Sequence, residues 1–269
     1  MTDPNGRFFW YELMTSDPQG AIAFYSHVVG WTSAAFGGDV GYPYTIISGS
    51  AGPLGGIMAI PDDAKDCGMQ PWWGGYIGSA DVDADARRLT DAGGSVRRAP
   101  EDIAGVGRFA VIGDPGGATF MLMKGSSPEG MDAPPPMATG HVGWHELYSG
   151  AFDADLAFYT GQFGWTTGDA MDMGEMGQYQ LFSQSGDADF EAMDGGMMAR
   201  PAEMPMPLWL FYFVVTDIDA AVERVKAGGG TVLNGPMEVP GGAWIIQGLD
   251  PQGAMFALVG MRADAEKGA

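Results

Sequence analysis

The sequence predicts an α+β fold built from four βαβββ units, which pair into two tandem halves. Three observations support this prediction. The chain has 269 residues, of which 46% are hydrophobic, so it is long and apolar enough to bury a core. Matched sequence blocks recur in the same order along both halves. Within each half, alternating and helical patterns follow the order strand, helix and three strands, twice.

The internal repeat starts near the beginning of each half. Trp10–Leu13 matches Trp144–Leu147, which lies 134 positions later. Further blocks follow in the same order, with small shifts that loop insertions would cause. They are Ala23–Tyr25 with Ala157–Tyr159, Gly30-Trp31 with Gly164-Trp165, Gly55–Ala59 with Gly195–Ala199, Ala92–Gly94 with Ala227–Gly229, and Asp114–Ala118 with Asp250–Ala254.

The repeat divides the chain into two domains. We predict the first domain at residues 7–124 and the second at residues 141–260. Residues 125–140 contain Pro134-Pro135-Pro136 and no apolar period, which indicates a linker. Residues 261–269 form a tail.

The first unit opens with a strand over Phe8–Met14, where apolar residues alternate. Asp17 and Pro18 then supply an N-cap and a proline at the first helical position. The helix runs to Val29, and Gly30 ends it. Three strands complete the unit, near Thr32–Phe36, Tyr44–Ser48 and Leu54–Ile60.

The second unit begins with a strand over Trp73–Ser79. Asp81 or Asp83 caps a helix that runs to Ala92. The turn Asp114–Gly117 predicts a hairpin between the last two strands. Those strands and the one before them lie near Ser95–Arg97, Phe109–Ile112 and Ala118–Met123. The second half repeats the pattern, with helices near Ala154–Phe163 and Ala220–Ala227.

Charge and composition limit the partners. The formal net charge is −21, and such a surface repels nucleic acid and anionic membranes. The single cysteine, Cys67, excludes an internal disulfide. Residues 1–7 are polar, and no apolar run approaches the length of a membrane span. We therefore expect a cytoplasmic monomer or homodimer whose partner is a small-molecule ligand.

The motifs resemble a known family. A helix that ends in Phe24-Tyr25 before Gly30-Trp31, and an Asp-Pro-x-Gly turn that closes each half, are similar to motifs of the vicinal oxygen chelate superfamily. This superfamily contains glyoxalases, bleomycin-resistance proteins and extradiol dioxygenases. The resemblance is greatest to a two-domain branch typified by a mycobacterial secreted antigen and hydroxylase-like proteins. It implies two vicinal-oxygen-chelate domains and is specific for fold rather than for reaction.

The resemblance also implies where a metal would bind. In metal-dependent relatives each pair of units curls into a cup, and ligands come from the first and last strands of the units. Counting from the motifs, none of the six corresponding side chains is a ligand for a hard divalent metal. We therefore expect neither a metal nor another cofactor. The six positions are Trp10, Gly75 and Met121 in the first half, and Trp144, Phe211 and Ala257 in the second.

The three histidines offer no alternative set of metal ligands. His27 on the first helix and His141 before the second-half strand are expected at the surface. His145 follows Trp144 directly, so strand alternation predicts that it points to the opposite face.

Two carboxylates are the leading catalytic candidates. Glu12 and Glu146 occupy equivalent positions, two residues after Trp10 and Trp144, and so share a face with them. Each could act as a general base or hold a polar ligand group, although a purely structural hydrogen-bonding role is also open. Arg108 is the third candidate, because it could pair with Glu12, bind an anionic ligand group, or lie at the surface.

Aromatic residues are expected to line the ligand-binding cups, although most aromatic residues simply pack in cores. The predicted ligand-binding set is Trp10, Tyr44 and Trp73 in the first half, and Trp144, Tyr179, Phe211 and Trp244 in the second.

Three functions remain open at this point. The favoured one is a metal-independent enzyme that acts on a small organic molecule through acid–base chemistry at a cup carboxylate. The second is a binding protein that sequesters an aromatic or cationic molecule, as the bleomycin-resistance relatives do. The third is a metal-dependent lyase or dioxygenase whose ligands the counting has misplaced.

Overall fold

The computed structural model describes residues 5–126 and 133–263, and its elements follow the predicted order. The first half contains β1 (Phe8–Thr15), α1 (Pro18–Val28), β2 (Thr32–Ala35), β3 (Tyr44–Gly49), β4 (Gly52–Ala59), α2 (Asp62–Asp66), β5 (Trp72–Gly78), α3 (Val82–Asp91), β6 (Ser95–Ile103), β7 (Gly107–Gly113) and β8 (Thr119–Gly125). The second contains β9 (Val142–Ser149), α4 (Phe152–Phe163), β10 (Thr166–Asp172), β11 (Gln178–Ser183), β12 (Gly195–Ala199), β13 (Leu208–Val215), α5 (Ile218–Ala227), β14 (Thr231–Glu238), β15 (Trp244–Leu249) and β16 (Met255–Gly260).

The strand order confirms the α+β fold of four βαβββ units. The first half is ordered β2-β3-β4-β1-β5-β8-β7-β6, and the second is ordered β10-β11-β12-β9-β13-β16-β15-β14. Each order becomes the other when strand numbers shift by eight. Within the first unit, β1 pairs in parallel with β4, whereas β2, β3 and β4 pair antiparallel. The chain therefore passes through α1 to the edge strand β2 and returns through β3 to β4, the parallel neighbour of β1.

Contacts divide the chain into two units that each combine both halves of the sequence. Unit one takes the chain up to Trp10, then Gly74–Ala133 and His145–Trp209. Unit two takes Tyr11–Trp73, Pro134–Trp144 and the chain from Leu210 onward. Helices α3 and α4 thus belong to unit one, and helices α1 and α5 belong to unit two.

Aspartate N-caps begin three of the long helices. Asp17 accepts a hydrogen bond from Gly20 N, with Pro18 at the start of α1, as the sequence predicts. Of the two candidates for α3, Asp81 is the cap, and it accepts from Ala84 N. Asp217 caps α5 in the same way. Within the described residues, no helix is both long and apolar enough to cross a membrane.

Two details differ from the sequence prediction. Strand β6 extends to Ile103, well beyond the predicted end at Arg97. It is an edge strand that contains Pro100, so charge and proline hide the usual alternation. The short helix α2 was not predicted. The predicted linker lies partly outside the described residues, at residues 127–132, as does the tail from residue 264 onward.

A hydrogen-bonded chain of three side chains ties α4 to the closing turn of the first half. Trp209 Nε1 donates to the hydroxyl of Tyr159 at 3.0 Å, and this hydroxyl donates to Asp114 Oδ2 at 3.0 Å. The other oxygen of Asp114 accepts from Gly117 N and Ala118 N at 2.7 Å each. Every polar atom of this buried tyrosine–aspartate pair therefore has a partner in unit one.

Unit two contains the same chain, built from the repeat partners. Trp73 Nε1 donates to Tyr25 Oη at 2.9 Å, and Tyr25 donates to Asp250 Oδ2 at 3.1 Å. Asp250 Oδ1 accepts from Ala254 N at 2.9 Å. Burial raises the pKa of both Tyr25 and Asp250. The Phe-Tyr and Asp-Pro-x-Gly motifs are therefore partners across the two halves of the sequence.

In unit one, a second carboxylate joins this hydrogen-bonded chain, at a position where the repeat has Ala21. Asp155 is fully buried, accepts from Ser149 Oγ at 2.5 Å and from Gly116 N at 2.7 Å, and replaces Ala21 of the repeat. Burial, together with the nearby Asp155 carboxylate, raises the pKa of Asp114 to about 7. Burial also raises the pKa of Asp155.

Removing the tyrosine hydroxyl should destabilise either unit. Tyr159→Phe leaves an indole N–H and a carboxylate oxygen buried without their partner, and Tyr25→Phe does the same in unit two. We expect each variant to lose about 1–3 kcal/mol of unfolding free energy in urea denaturation. The matched control, Tyr42→Phe at an exposed tyrosine, should change it by less than about 0.5 kcal/mol. A loss of unfolding free energy as small as that of the control would contradict a stabilising role for the Trp–Tyr–Asp hydrogen bonds.

The raised pKa of Asp114 predicts a pH-dependent stability. An aspartate has a pKa of about 3.9 in the unfolded chain, so the folded protein holds the Asp114 proton more tightly. This stabilisation is complete below about pH 4 and is lost as the pH rises through 7. The unfolding free energy of the wild type, relative to Asp114→Asn, should therefore fall between pH 5 and pH 8. Asp91→Asn at an exposed position should show no such trend, and a pH-independent difference for Asp114→Asn would refute the prediction.

Candidate functional site

Strand β9 presents different chemistry on its two faces. His145 stacks on Phe8 with ring centroids 5.3 Å apart, and Phe8 also contacts Trp165 and Trp209. Both tryptophans pack on Tyr159 of α4, so this face of β9 belongs to the core beneath the helix. Successive strand residues point to opposite faces, and Glu146 therefore points away from α4.

His145 is a core residue, as the predicted orientation required. Its Nδ1 lies 3.0 Å from the carbonyl oxygen of Asp194 and 3.1 Å from Gln184 Nε2. Burial lowers the pKa of His145 to about 4, so the ring is neutral at pH 7. Burial also raises the pKa of the neighbouring Asp194 to about 6.

On the opposite face of β9, in unit one, the ring of Tyr179 extends over Gly196 of β12, and its hydroxyl reaches Glu146. Glu146 is 6% exposed and accepts a hydrogen bond from Tyr179 Oη at 2.9 Å. Between their strands lies β12, whose Gly196 pairs with Glu146. A Cβ at Gly196 would lie 2.2 Å from the Tyr179 ring. The missing side chain thus lets the ring lie flat across β12.

Unit two repeats the arrangement. Glu12 is 5% exposed and pairs across the sheet with Gly56 of β4. Tyr44 of β3 lies over this glycine, because a Cβ at Gly56 would be 2.2 Å from the tyrosine hydroxyl. Each unit therefore places one buried glutamate, one glycine and one tyrosine on three adjacent strands. We call these the Glu146 site and the Glu12 site.

The glycines are the residues that sequence reasoning missed. Gly56 and Gly196 belong to the repeated Gly-Gly-x-Met-Ala block, which was used only to align the halves. A glycine inside a strand is a signal for close approach by another group. Combined with the repeated Tyr44 and Tyr179, the strand glycines could have predicted that a tyrosine ring lies over each of them.

The register of β13 shows that Tyr212, and not the predicted Phe211, faces away from the helices. Ala257 pairs with Tyr212, one residue beyond the position found by counting. Phe211 instead contacts Tyr11, with ring centroids 4.9 Å apart. Gln247 also pairs with Ala257, and its Nε2 donates to Tyr212 Oη at 2.7 Å. A one-residue miscount in a strand exchanges its two faces, which explains the difference.

The first half shows the same one-residue difference. Met121 pairs with Tyr76 and not with the counted Gly75, and it also pairs with Val111. The first half therefore has an apolar valine where the second has Gln247. This change makes the two halves chemically different on this face.

Arg108 lies on the helix side of its sheet in unit one. Its Nε and Nη2 bind Asp83 of α3 at 2.5 and 2.8 Å, and its Nη1 binds Asp102 at 3.1 Å. Nη2 also donates to the carbonyl oxygen of Pro100. These hydrogen bonds raise the pKa of Arg108 and lower that of Asp83. Two carboxylates thus already neutralise the guanidinium that the sequence offered to an anionic ligand.

Two of the aromatic candidates also lie on helix sides. Trp244 stacks under Arg262, whose guanidinium carbon is 3.5 Å from the ring centroid, and Arg262 pairs with Asp219 of α5. Trp73 donates to Tyr25 of α1. Trp10 and Trp144 are half-buried on the faces of Glu12 and Glu146. Contact of any of these residues with a ligand stays a prediction.

The remaining histidines give one confirmation and one correction. His27 is exposed, as expected. His141 was expected at the surface but is only 5% exposed, and its Nε2 accepts a hydrogen bond from Ala51 N at 3.2 Å. The loop before β9 packs against the turn after β3, which the sequence pattern did not reveal.

The donor set does not fit the divalent metal that metal-dependent relatives hold. Over residues 5–126 and 133–263, no three His, Cys, Asp or Glu side chains are grouped as metal ligands. A hard divalent metal needs several nitrogen or oxygen donors that converge.

A protein-family model matches the chain twice. The model describes the Glyoxalase/Bleomycin resistance protein/Dioxygenase superfamily, and it matches residues 7–122 and 139–258. The two matched stretches correspond to the two halves of the internal repeat.

Similar proteins match along nearly the whole chain. The Mycobacterium tuberculosis protein named "Putative glyoxylase CFP32" is 32% identical over 253 residues, which cover 93% of both chains. The "Anthracycline biosynthesis protein DnrV" of Streptomyces peucetius is 31% identical over 266 residues, 94% of this chain and 92% of that protein. The Mn(II)-bound glyoxalase from Novosphingobium aromaticivorans is 14% identical and matches 96% of this chain and 84% of its own, with a TM-score of 0.62. At that identity the likeness is one of fold.

The glycine crossings can be tested with a single methyl group. Gly196→Ala and Gly56→Ala should displace the tyrosine ring and destabilise the protein by about 1–3 kcal/mol, because the added atom overlaps the ring. The matched control is Gly161→Ala, where no atom lies within 4 Å. This change in α4 should stabilise the protein by about 0.5–1 kcal/mol in thermal or urea unfolding. Equal effects at all three glycines would show that the rings do not lie where described.

Proposed function

The chain belongs to the Glyoxalase/Bleomycin resistance protein/Dioxygenase superfamily, and on that premise we propose that it is an enzyme of acid–base chemistry. Its substrate is a small aromatic organic molecule. Glu146 or Glu12 takes up the proton, and no divalent metal takes part. The hydrogen bond between Tyr179 and Glu146, buried and 2.9 Å long, is the observation that carries the proposal.

The carboxylate is suited to proton transfer because its orientation is fixed. Oε2 of Glu146 accepts the Tyr179 hydroxyl, which orients the carboxylate on the face that points away from α4. Tyr179 is thus a positioning residue, and Glu146 is the proposed base. The Glu12 site has the same three residue types on the three equivalent strands, so the proposal extends to it.

An aromatic substrate is supported by two kinds of observation. The carboxylate faces carry aromatic side chains, namely Tyr44 in unit two and Tyr179 in unit one. The similar proteins from Streptomyces peucetius and from Streptomyces sp. are both named for anthracycline biosynthesis. Anthracyclines contain a planar ring system with carbonyl and hydroxyl groups, and a C–H next to a carbonyl is acidic enough for a carboxylate base.

The test measures proton transfer directly. The protein is incubated in D2O with an anthracyclinone, the sugar-free ring system, and deuterium uptake next to the carbonyl is followed by mass spectrometry. We expect exchange catalysed by the wild type. The double variant Glu12→Gln/Glu146→Gln should lower it about 100-fold or more, because glutamine keeps the shape but cannot take the proton, and each single variant should remove only the share of its own site. Binding, followed by tryptophan fluorescence, should change little.

The control is Glu203→Gln at an exposed glutamate, which should exchange like the wild type. Unchanged exchange in the double variant would show that neither glutamate is the base. Tight binding without any exchange would favour the sequestering function. Stoichiometric metal in protein purified without chelators would favour a metal-dependent lyase or dioxygenase.

A further inference from the structure

One tryptophan in unit two has a hydrogen-bond donor without an acceptor. The indole Nε1 of Trp72 is buried, and within the described part of the chain no acceptor lies in range. Four other indoles are paired at 3.0 Å or less; these are Trp31 with Gly140 O, Trp73 with Tyr25 Oη, Trp165 with Gly6 O, and Trp209 with Tyr159 Oη. A buried, unpaired donor costs about 1–3 kcal/mol, so folded proteins rarely keep one without a use.

Trp72 lies on the same face of the sheet as Glu12. Trp73 packs on Phe213 at a centroid distance of 5.0 Å, and Tyr11 packs on Phe211 at 4.9 Å. Phe211 and Phe213 share one face of β13, so Trp73 and Tyr11 both point into the core of unit two. Their strand neighbours Trp72 and Glu12 therefore both point away from that core. Strands β5 and β1 are also adjacent in the sheet.

The second half lacks this donor. Trp73 and Trp209 occupy equivalent positions in the repeat, so the counterpart of Trp72 is Leu208. The Glu146 site of unit one thus has the carboxylate and the tyrosine, but a leucine in place of the indole N–H. The two sites differ in the polarity of one wall.

We infer that Trp72 determines specificity at the Glu12 site by donating a hydrogen bond to an oxygen acceptor of the ligand. Glu12 accepts and Trp72 donates, so the complementary ligand is a planar aromatic molecule with both a carbonyl oxygen and a hydroxyl or amino group. Aminoquinones and hydroxyquinones are the chemical class. The inference rests on the proposed function, because it assumes that the Glu12 face receives the ligand.

The alternative hydrogen-bond partner of Trp72 Nε1 is a trapped water molecule. Water would satisfy the indole whatever the ligand carries, so the carbonyl would make no difference to binding. The experiment therefore has to vary the tryptophan and the carbonyl independently.

Two probes differ only in the carbonyl groups: 2-aminoanthraquinone and 2-aminoanthracene. Their dissociation constants are measured by calorimetry for the wild type and for Trp72→Phe, which keeps a ring but removes the donor. We expect the wild type to prefer the quinone by about fivefold to tenfold, the effect of one hydrogen bond, and Trp72→Phe to show no preference. The control, Phe190→Leu, changes an exposed aromatic residue outside both sites and should keep the wild-type preference.

A spectroscopic readout separates a hydrogen bond from a packing effect. Of the eight indole N–H signals in a ¹H–¹⁵N spectrum, the one missing in Trp72→Phe belongs to Trp72. The quinone should move this signal downfield, and the anthracene should not.

Each contrary outcome is specific. Equal weakening of both probes in Trp72→Phe would overturn the inference, because it indicates packing alone. An unchanged quinone preference in Trp72→Phe would overturn it as well. If neither probe binds while the deuterium-exchange assay succeeds, the inference fails and the proposed function stands; if exchange also fails, both fall.

Discussion

The hydrogen-bonded chain from tryptophan through tyrosine to aspartate is the interaction on which the rest of each unit depends. It joins a helix from one half of the sequence to the closing turn of the other half, as Trp209, Tyr159 and Asp114 do in unit one. A fully buried tyrosine is favourable only if its hydroxyl is paired, so the helix, the turn and the indole have one mutually compatible position. Because the aspartate also accepts hydrogen bonds from backbone N–H groups of its own turn, the same residue fixes the hairpin that contains this turn.

Fixing the core face of each strand also fixes the face on which chemistry can occur. Once Tyr11 packs on Phe211 and His145 packs on Phe8, alternation leaves Glu12 and Glu146 no direction but the opposite one. The carboxylates are then held by a second constraint, the glycine that lets a tyrosine cross an intervening strand. The core and the candidate sites are therefore two consequences of one register, and a shift by one residue would destroy both.

The sequence predicted the repeat, the four units and the superfamily, because these depend on patterns that are local or that recur. The aspartate caps, the strand beginning at Phe8 and the hairpin at Asp114 all follow from short-range chemistry. The sequence could not predict which residues the motif residues bind, since Tyr25 lies 225 positions from Asp250. Nor could it predict the environment of Arg108, because Asp102 becomes its neighbour only when β6 pairs with β7, and Asp83 only when α3 packs on the sheet. The miscount at Phe211 has a different cause, since counting from a distant motif cannot resolve a single residue in a strand.

The differences between the halves support the proposal that the two sites share a reaction type but not a ligand. Duplication kept the glutamate, the glycine and the tyrosine in both units, and these are the residues that orient a carboxylate. The residues that changed lie around them, with Trp72 replaced by Leu208 and Val111 by Gln247. Two binding faces with different ligands would keep the residues that orient the carboxylate and change the side chains around it, as this chain does.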